Sequence, residues 1–225
     1  MRTSLIIPAL NEAKCLSSLL AEVPMDIIDQ LIVVDNGSTD NTSQVAREAG
    51  AVVIFEPLRG YGYACKAGST VAKGDVLVFM DGDGSFVPSE ITVLLEPLAQ
   101  GTADLILGSR KLHDTEKLAM PAHQRIGNRL VAWLLRQRYG LKLSDLGPFR
   151  AIRRELLLGL DMQEHTYGWP LEMIIKTLNM EKKIVEVPIT FRPRLAGRSK
   201  VSGTLQGTLL TAYRYFRVMF RYAYR

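Results

Sequence analysis

The chain has 225 residues, of which 47% are hydrophobic and 23% charged, and its net charge is +5. Those values exclude disorder, collagen and low complexity, and having only two cysteines, Cys15 and Cys65, excludes a disulfide scaffold. The positive balance implies an anionic partner: nucleic acid, a phosphate ligand or a membrane surface.

The first hundred residues alternate between two patterns. Apolar runs rich in β-branched residues predict strands at Ser4–Pro8, Gln30–Val34, Ala51–Phe55, Asp75–Met80 and Asp104–Leu107. Between them, Asp40 or Thr42 caps a helix that closes at Gly50. Tyr63–Lys73 closes at Gly74, and Pro88–Ala99 closes at Gly101. Strand, helix, strand, helix predicts a parallel sheet covered on both faces. Ligands of such sheets sit outside the carboxyl ends of the strands, so the residues just after each strand are the ones to read for function.

Past Arg110 the rhythm changes. Leu112–Pro121 reads as an irregular loop, and Arg125–Arg138 as a helix with Leu130, Trp133 and Leu134 inward. Glu155–Leu160 and Leu171–Asn179 read as shorter helices, Lys183–Ile189 as a strand, and Phe191–Gly203 as a basic loop. Leu205–Tyr224 is the last helix. No Pro/Ser-rich linker or internal repeat interrupts the chain. The expectation is one domain over residues 1–203 and an amphipathic helix over 204–225.

The charge is unevenly spread. From Val187 to Arg225 there is no Asp or Glu and there are eight Arg or Lys, so the preceding residues sum to −3. At about 100° per residue, Leu205, Leu209, Ala212, Phe216, Met219, Phe220 and Ala223 share one face of the last helix. Arg214, Arg217, Arg221 and Arg225 fall opposite, and Tyr213, Tyr215, Tyr222 and Tyr224 flank the border. This pattern fits a helix in a membrane interface. It fits equally a helix packed on the body or on a second subunit of a homo-oligomer. The run Ser4–Ile7 ends at Pro8, with Asn11 and Glu12 following, so no signal peptide is expected. No stretch reaches the ~18–20 apolar residues of a membrane-spanning helix. The expected location is cytoplasmic, peripheral at the inner membrane face.

Three strands deliver polar side chains to one rim. Strand one ends in Pro8-Ala9-Leu10-Asn11-Glu12, strand two in Asp35-Asn36-Gly37-Ser38-Thr39-Asp40, and strand four in Asp81-Gly82-Asp83-Gly84-Ser85. Asp81 and Asp83 at such a turn suit a hard divalent cation, Mg²⁺ or Mn²⁺, that leaves positions open for phosphate oxygens. The competing reading is an Asx turn that closes the loop. No G-x-G-x-x-G, phosphate loop, C-x-x-C or H-E-x-x-H is present, and His113, His123 and His165 stand alone.

The set I-P-A-L-N-E (Ile7–Glu12), V-D-N-G-S-T-D (Val34–Asp40), R-G-Y-G (Arg59–Gly62) and D-G-D-G-S (Asp81–Ser85) resembles a family 2 glycosyltransferase of the GT-A fold. G-S-R (Gly108–Arg110), R-I-G-N (Arg125–Asn128), D-L-G-P-F-R (Asp145–Arg150), Glu172, E-V-P-I-T-F (Glu186–Phe191) and R-L-A-G-R-S-K (Arg194–Lys200) resemble its dolichyl/polyprenyl-phosphate mannosyl- and glucosyltransferase branch. The resemblance implies an α/β, Rossmann-like, mostly parallel sheet flanked by helices. It implies transfer of a hexose from GDP-mannose or UDP-glucose to a lipid phosphate, with inversion and a bound metal ion. Pro8, Leu10, Asn11, Glu12, Asp35, Arg59 and Asp81 would line the donor. Asp81 and Asp83 would hold the metal, Asp83 as the principal ligand. Arg110 would act in catalysis with Asp81, Asp83 and Glu172, and Arg125, Arg198, Ser199 and Lys200 would bind phosphate on the acceptor side. Asn36 stands where Asp is common, Ser85 where many relatives have Gln, and Tyr61 where a basic residue is frequent.

Rival readings have definite signatures. A hydroxyl acceptor, on a polysaccharide or other glycan, needs a carboxylate base, for which Glu172 and Asp145 are the candidates. Glu172 also reads as a charge stabilised by the dipole of a helix N-terminus. D-x-D-G-S resembles the nucleophile motif of haloacid-dehalogenase phosphatases as well. That motif belongs on a first strand with a later acidic pair, whereas this one follows the fourth predicted strand. A non-catalytic membrane-associated binder is the third reading. Nucleic acid is disfavoured, because no recognition helix or RNA-binding signature accompanies the cations.

Overall fold

The computed structural model describes residues 1–110, 122–196 and 205–223, without the side chains of 122–126, 128 and 205–212. The loop expected at Leu112–Pro121 lies outside the described residues, as do Arg198, Ser199 and Lys200 and the side chain of Arg125.

The elements run β1 (Thr3–Ala9), α1 (Ala13–Ala21), β2 (Gln30–Asp35), α2 (Thr42–Glu48), β3 (Val52–Phe55), α3 (Tyr61–Val71) and β4 (Val76–Phe79). A 3₁₀ turn at Pro88–Glu90 leads into α4 (Ile91–Ala99), then β5 (Leu105–Ser109) and α5 (Ala122–Tyr139). The remainder is β6 (Arg150–Arg153), α6 (Arg154–Gly159), α7 (Trp169–Asn179), β7 (Ile184–Pro188) and α8 (Leu205–Tyr222). Among the described residues the strands form one sheet in the order β3-β2-β1-β4-β6-β5-β7. All neighbours pair parallel except β6, which runs antiparallel to both β4 and β5.

Strand alternation builds two cores. Ile6, Ile32, Val34, Leu77 and Phe79 face one side, where α3 and α5–α8 pack. Leu5, Ile7, Val33, Val76 and Val78 face the other, beneath α1, α2 and α4. The mostly parallel sheet matches the expectation, but two elements go beyond it. Helix α1 buries Cys15, Leu16, Leu19 and Leu20. Strand β6 buries Arg150, Ala151 and Ile152 at the middle of the sheet.

The inward faces of two helices also need correcting. In α5, Leu130 and Trp133 are exposed, while Val131, Ala132 and Leu135 are buried and Leu134 is half-buried. In α8 and just after it, Val218, Met219 and Ala223 are buried with Tyr215 and Tyr222 packed beside them, whereas Phe216 and Phe220 are exposed. The backing surface decides which stripe is used: α8 meets α7 and α5, and Lys176 of α7 covers the Tyr222 ring. Arg138 Nε donates to the Ala223 carbonyl at 2.7 Å, and Asn179 Nδ2 to the Tyr222 carbonyl at 2.9 Å, so three helices end together. Among the described residues no helix is long and apolar enough to cross a membrane.

Candidate active site

The rim is built from the carboxyl ends of β1, β2 and β4, and its loops are stitched to one another. Asn11 adopts a left-handed backbone (φ 52°). Its N–H donates to Ser38 Oγ at 2.9 Å, and its Oδ1 accepts the Thr39 N–H at 2.7 Å. The Glu12 N–H donates to Thr42 Oγ1 at 2.9 Å. Pro8 and Leu10 are half-buried beside this seam. Asp35 turns its carboxylate into its own loop, where Oδ1 accepts the Ser38 N–H at 2.7 Å and Oδ2 accepts the Ser43 hydroxyl.

Asn36 has a definite task here. Its Nδ2 donates to the carbonyls of Glu56 and Leu58 at 3.0 and 2.7 Å, and its Oδ1 accepts the Gly60 N–H at 2.7 Å. Asn36 thereby ties β2 to the start of α3, and an aspartate could not make the two donor contacts. Arg59 lies across the same loop, with Nη2 donating to the Gly37 carbonyl at 2.9 Å. Gly62 lets the 164–165 backbone come close, since an added Cβ would stand 2.2 Å from the Glu164 carbonyl oxygen.

The β4 turn carries the acidic pair. Asp83 Oδ1 accepts the Ser85 N–H at 3.0 Å and the Ser85 hydroxyl, so Ser85 caps the turn. Burial, and then the neighbouring Asp83 charge, push Asp81 up to about 7, against the pull of Arg110 and Tyr61. A buried carboxylate with a second carboxylate charge beside it is a natural seat for a cation. Among the described residues no group of three His, Cys, Asp or Glu side chains gathers around one point. The pair would offer a divalent cation two carboxylates and leave the rest of its shell open.

Residues 191–196 fold over this turn. Arg194 Nη2 reaches Glu12 Oε1 at 2.7 Å and Asp83 Oδ2 at 3.3 Å. The Arg192 N–H donates to the Ser85 carbonyl at 2.8 Å, and Phe191 stacks at a tilt on Phe86. Leu195 lies on Gly84, where an added Cβ would come within 2.4 Å of Leu195 Cδ1. Ala196 accepts a weak bond from the Cys15 thiol at 3.6 Å. The sequence alone gives Arg194 no role beyond its place in the basic loop, because no local pattern marks it out from Arg192.

Arg110 stands at the far end of the rim, after β5. Its Nε and Nη2 reach the two oxygens of Asp145 at 2.6 and 2.7 Å, a bidentate pair, and its guanidinium covers the Phe191 ring at 5.0 Å. Burial alone would raise Asp145, but Arg110 and its hydrogen bonds outweigh that and hold it below the ordinary carboxylate range. Glu186 fixes the same turn by accepting the N–H groups of Ser144 and Asp145 at 2.8 and 2.9 Å.

Glu172 is placed otherwise. It is fully buried, and its oxygens accept the N–H groups of Gln163 and Glu164 at 2.8 and 2.7 Å, with Lys176 Nζ at 2.9 Å. The structure thus brings Glu12, Asp81 and Asp83 together with Arg194. Arg110 acts on Asp81 from beside them, and Glu172 serves the loop before α7.

Comparison with known proteins adds to this geometry. The family model described as glycosyl transferase family 2 matches residues 4–159. An uncharacterised glycosyltransferase of Mycobacterium tuberculosis is 36% identical, over 96% of this chain and 97% of its own length. The undecaprenyl-phosphate mannosyltransferase of Micrococcus luteus is 34% identical, over 92% of this chain and 90% of its own. Among solved structures, glucosyl-3-phosphoglycerate synthase from Mycobacterium tuberculosis, in complex with Mn²⁺, UDP and glucosyl-3-phosphoglycerate, superposes with a TM-score of 0.77 at 26% identity. That match covers 99% of this chain and 80% of the other.

Proposed function

The chain belongs to glycosyl transferase family 2, and from that membership we propose that it moves a hexose, mannose or glucose, from a nucleotide sugar to a polyprenyl or dolichyl phosphate. The fold is GT-A and the protein is a glycosyltransferase. The observation that carries the finer reading is the facing pair Asp81 and Asp83 at the carboxyl end of β4, with an arginine-bearing loop across it. Asp81 and Asp83 would hold Mg²⁺ or Mn²⁺, which when bound offsets charge on the leaving nucleoside diphosphate. Pro8, Leu10, Asn11, Glu12, Asp35 and Arg59 would line the nucleobase and ribose.

The carboxylates support a phosphate acceptor. Asp145 is held ionised and weakly basic by Arg110, and Glu172 is occupied by two backbone N–H groups and Lys176. Neither is set to take a proton from a hydroxyl. A phosphate arrives already ionised. Its oxygen bonds to the anomeric carbon while the bond to the nucleoside diphosphate breaks on the opposite face, so the configuration inverts. Arg110 would steady that charge, with Arg125, Arg198, Ser199 and Lys200 on the acceptor side.

The acceptor's lipid calls for a surface to meet the membrane. Around α8, at about 100° per residue, the buried sector is followed by Tyr213, Phe216 and Phe220, and these by Arg217 and Arg221. Trp133 is exposed on neighbouring α5. Aromatic residues beside arginines suit an anionic lipid interface.

The test is a panel of nucleotide sugars, with polyprenyl phosphate in detergent as acceptor. The expected product is a lipid-linked hexose formed only with metal, lost in EDTA and in Asp83→Ala. Full transfer by either would remove the metal from the reading. A hydroxyl-bearing soluble acceptor is the second reading, favoured by the likeness to glucosyl-3-phosphoglycerate synthase. Sugar transfer to a soluble acceptor in the absence of lipid would establish it.

A further inference from the structure

We propose that Arg194 is the resident counter-cation of the acidic rim, and that a divalent metal must displace it from Asp83 before the donor can seat. The inference rests on the metal-dependent reading given above and adds to it a residue that competes with the metal.

The geometry points to competition. Asp83 has two oxygens, and Oδ1 is occupied by the N–H and hydroxyl of Ser85. Oδ2 is not engaged by Ser85, and Arg194 Nη2 lies 3.3 Å from it. The same nitrogen is 2.7 Å from Glu12 Oε1, so one guanidinium bridges the ends of β1 and β4. Its position is enforced by the loop rather than by the side chain alone. The Arg192 N–H is bonded to Ser85, the Leu195 N–H to the Asp83 carbonyl at 3.4 Å, and Leu195 sits on Gly84. With only 21% of its side chain exposed, Arg194 is shielded from water, and its charge is felt strongly. A divalent cation at Oδ2 would meet that like charge at contact distance.

The exchange has a direction. Metal alone must move Arg194 off Asp83 and supplies no new anion to replace that contact. A nucleoside diphosphate brings one, because a guanidinium fork binds phosphate well. Arg194 then trades carboxylates for phosphate oxygens while the metal takes Asp83. Metal and nucleotide should therefore bind with positive coupling, part of it carried by Arg194. Arg194 is a positioning residue: it holds the site closed to bare metal and favours arrival of the metal–nucleotide pair.

The experiment measures Mn²⁺ binding by electron paramagnetic resonance and calorimetry, without nucleotide and with UDP or GDP. For Arg194→Gln, Mn²⁺ alone should bind about tenfold more tightly than to the wild type, as expected when one charge-assisted contact no longer opposes it. The tightening caused by nucleotide should shrink in that variant. Arg194→Lys, which keeps the cation, should restore the weak binding of bare Mn²⁺. Arg192→Gln removes a charge from the same loop at an exposed pair with Glu22, and should leave Mn²⁺ affinity unchanged. Equal or weaker Mn²⁺ binding by Arg194→Gln overturns the inference and leaves the metal-dependent reading standing. Absence of Mn²⁺ binding to either protein, even with UDP and GDP, overturns both.

Discussion

Asp81 and Glu172 show how differently two buried carboxylates of one fold can be used. Asp81 ordinarily titrates near 3.8 and is pushed up to about 7. Below 3.8 both folded and unfolded chains hold its proton, so it costs the fold nothing. As pH rises towards 7 the unfolded chain has lost that proton while the fold retains it, and the metal-free fold loses stability. The melting temperature of metal-free protein should fall between pH 5 and 7, and Asp81→Asn should lack that component. A metal must displace the same proton, so between pH 6 and pH 8 the affinity for Mn²⁺ should rise about tenfold. A pH-independent affinity would place Asp81 outside the metal site. For Glu172→Ala, two buried N–H groups and Lys176 lose their acceptor, and a loss on the order of 3 kcal/mol is expected in chemical denaturation. The transfer rate per folded molecule should hold. Unchanged stability with abolished transfer would instead restore Glu172 as a base.

At the scale of elements, α8 is the testable unit. Tyr213 and Phe216 are exposed and make no part of the buried core, so changing both to Ser should leave the melting temperature near that of the wild type. Co-sedimentation with anionic vesicles should weaken on the order of tenfold for each aromatic removed. Undiminished binding would assign this sector to another task. The sequence pattern puts Phe216 and Phe220 on the inward face, because periodicity alone cannot say which of two overlapping apolar stripes meets the body. Only the positions of α5 and α7 decide that. Strand β6 is hidden for a related reason. Arg150-Ala151-Ile152-Arg153 reads as polar, yet Arg150 is fully buried and finds the carbonyls of Gly147, Leu146 and Pro170. Helix α1 has legible spacing at Cys15, Leu16, Leu19 and Leu20, but it starts directly after Asn11 and Glu12, whose polar side chains make the segment read as a strand end. The strand ends themselves are legible, since a short β-branched run followed by Asp, Asn and Gly fits a buried strand leaving the sheet and fits a helix poorly.

Over the whole molecule, the sign of the charge separates two jobs. The residues before Val187 sum to −3 and those from Val187 onward carry eight cations. Glu12, Asp81 and Asp83 lie just past the strand ends, where Arg194 meets Glu12 and Asp83, while Arg192 pairs with Glu22 at the end of α1. Arg217 and Arg221 on α8 remain in contact with water. Vesicle binding should therefore weaken as salt is raised from about 0.05 to 0.5 M, where screening lengths fall well below 10 Å. Binding insensitive to salt would leave only the aromatic sector as the membrane contact.

One detail of the sheet bears on how such an enzyme changes over generations. Because β6 runs antiparallel between β4 and β5, the chain leaves the sheet at Arg110 and comes back to it by way of Asp145, and those two residues are clasped at 2.6 Å. The intervening segment departs from and returns to a single fastening point. Closing a longer segment at the same point costs only slowly more entropy. Insertions and deletions there can accumulate without shifting a strand. The loops after β1 and β2 lack this freedom, since each hydrogen-bonds to the other. Evolutionary novelty is thereby channelled to the segment between Arg110 and Asp145, while the loops after β1 and β2 stay under constraint.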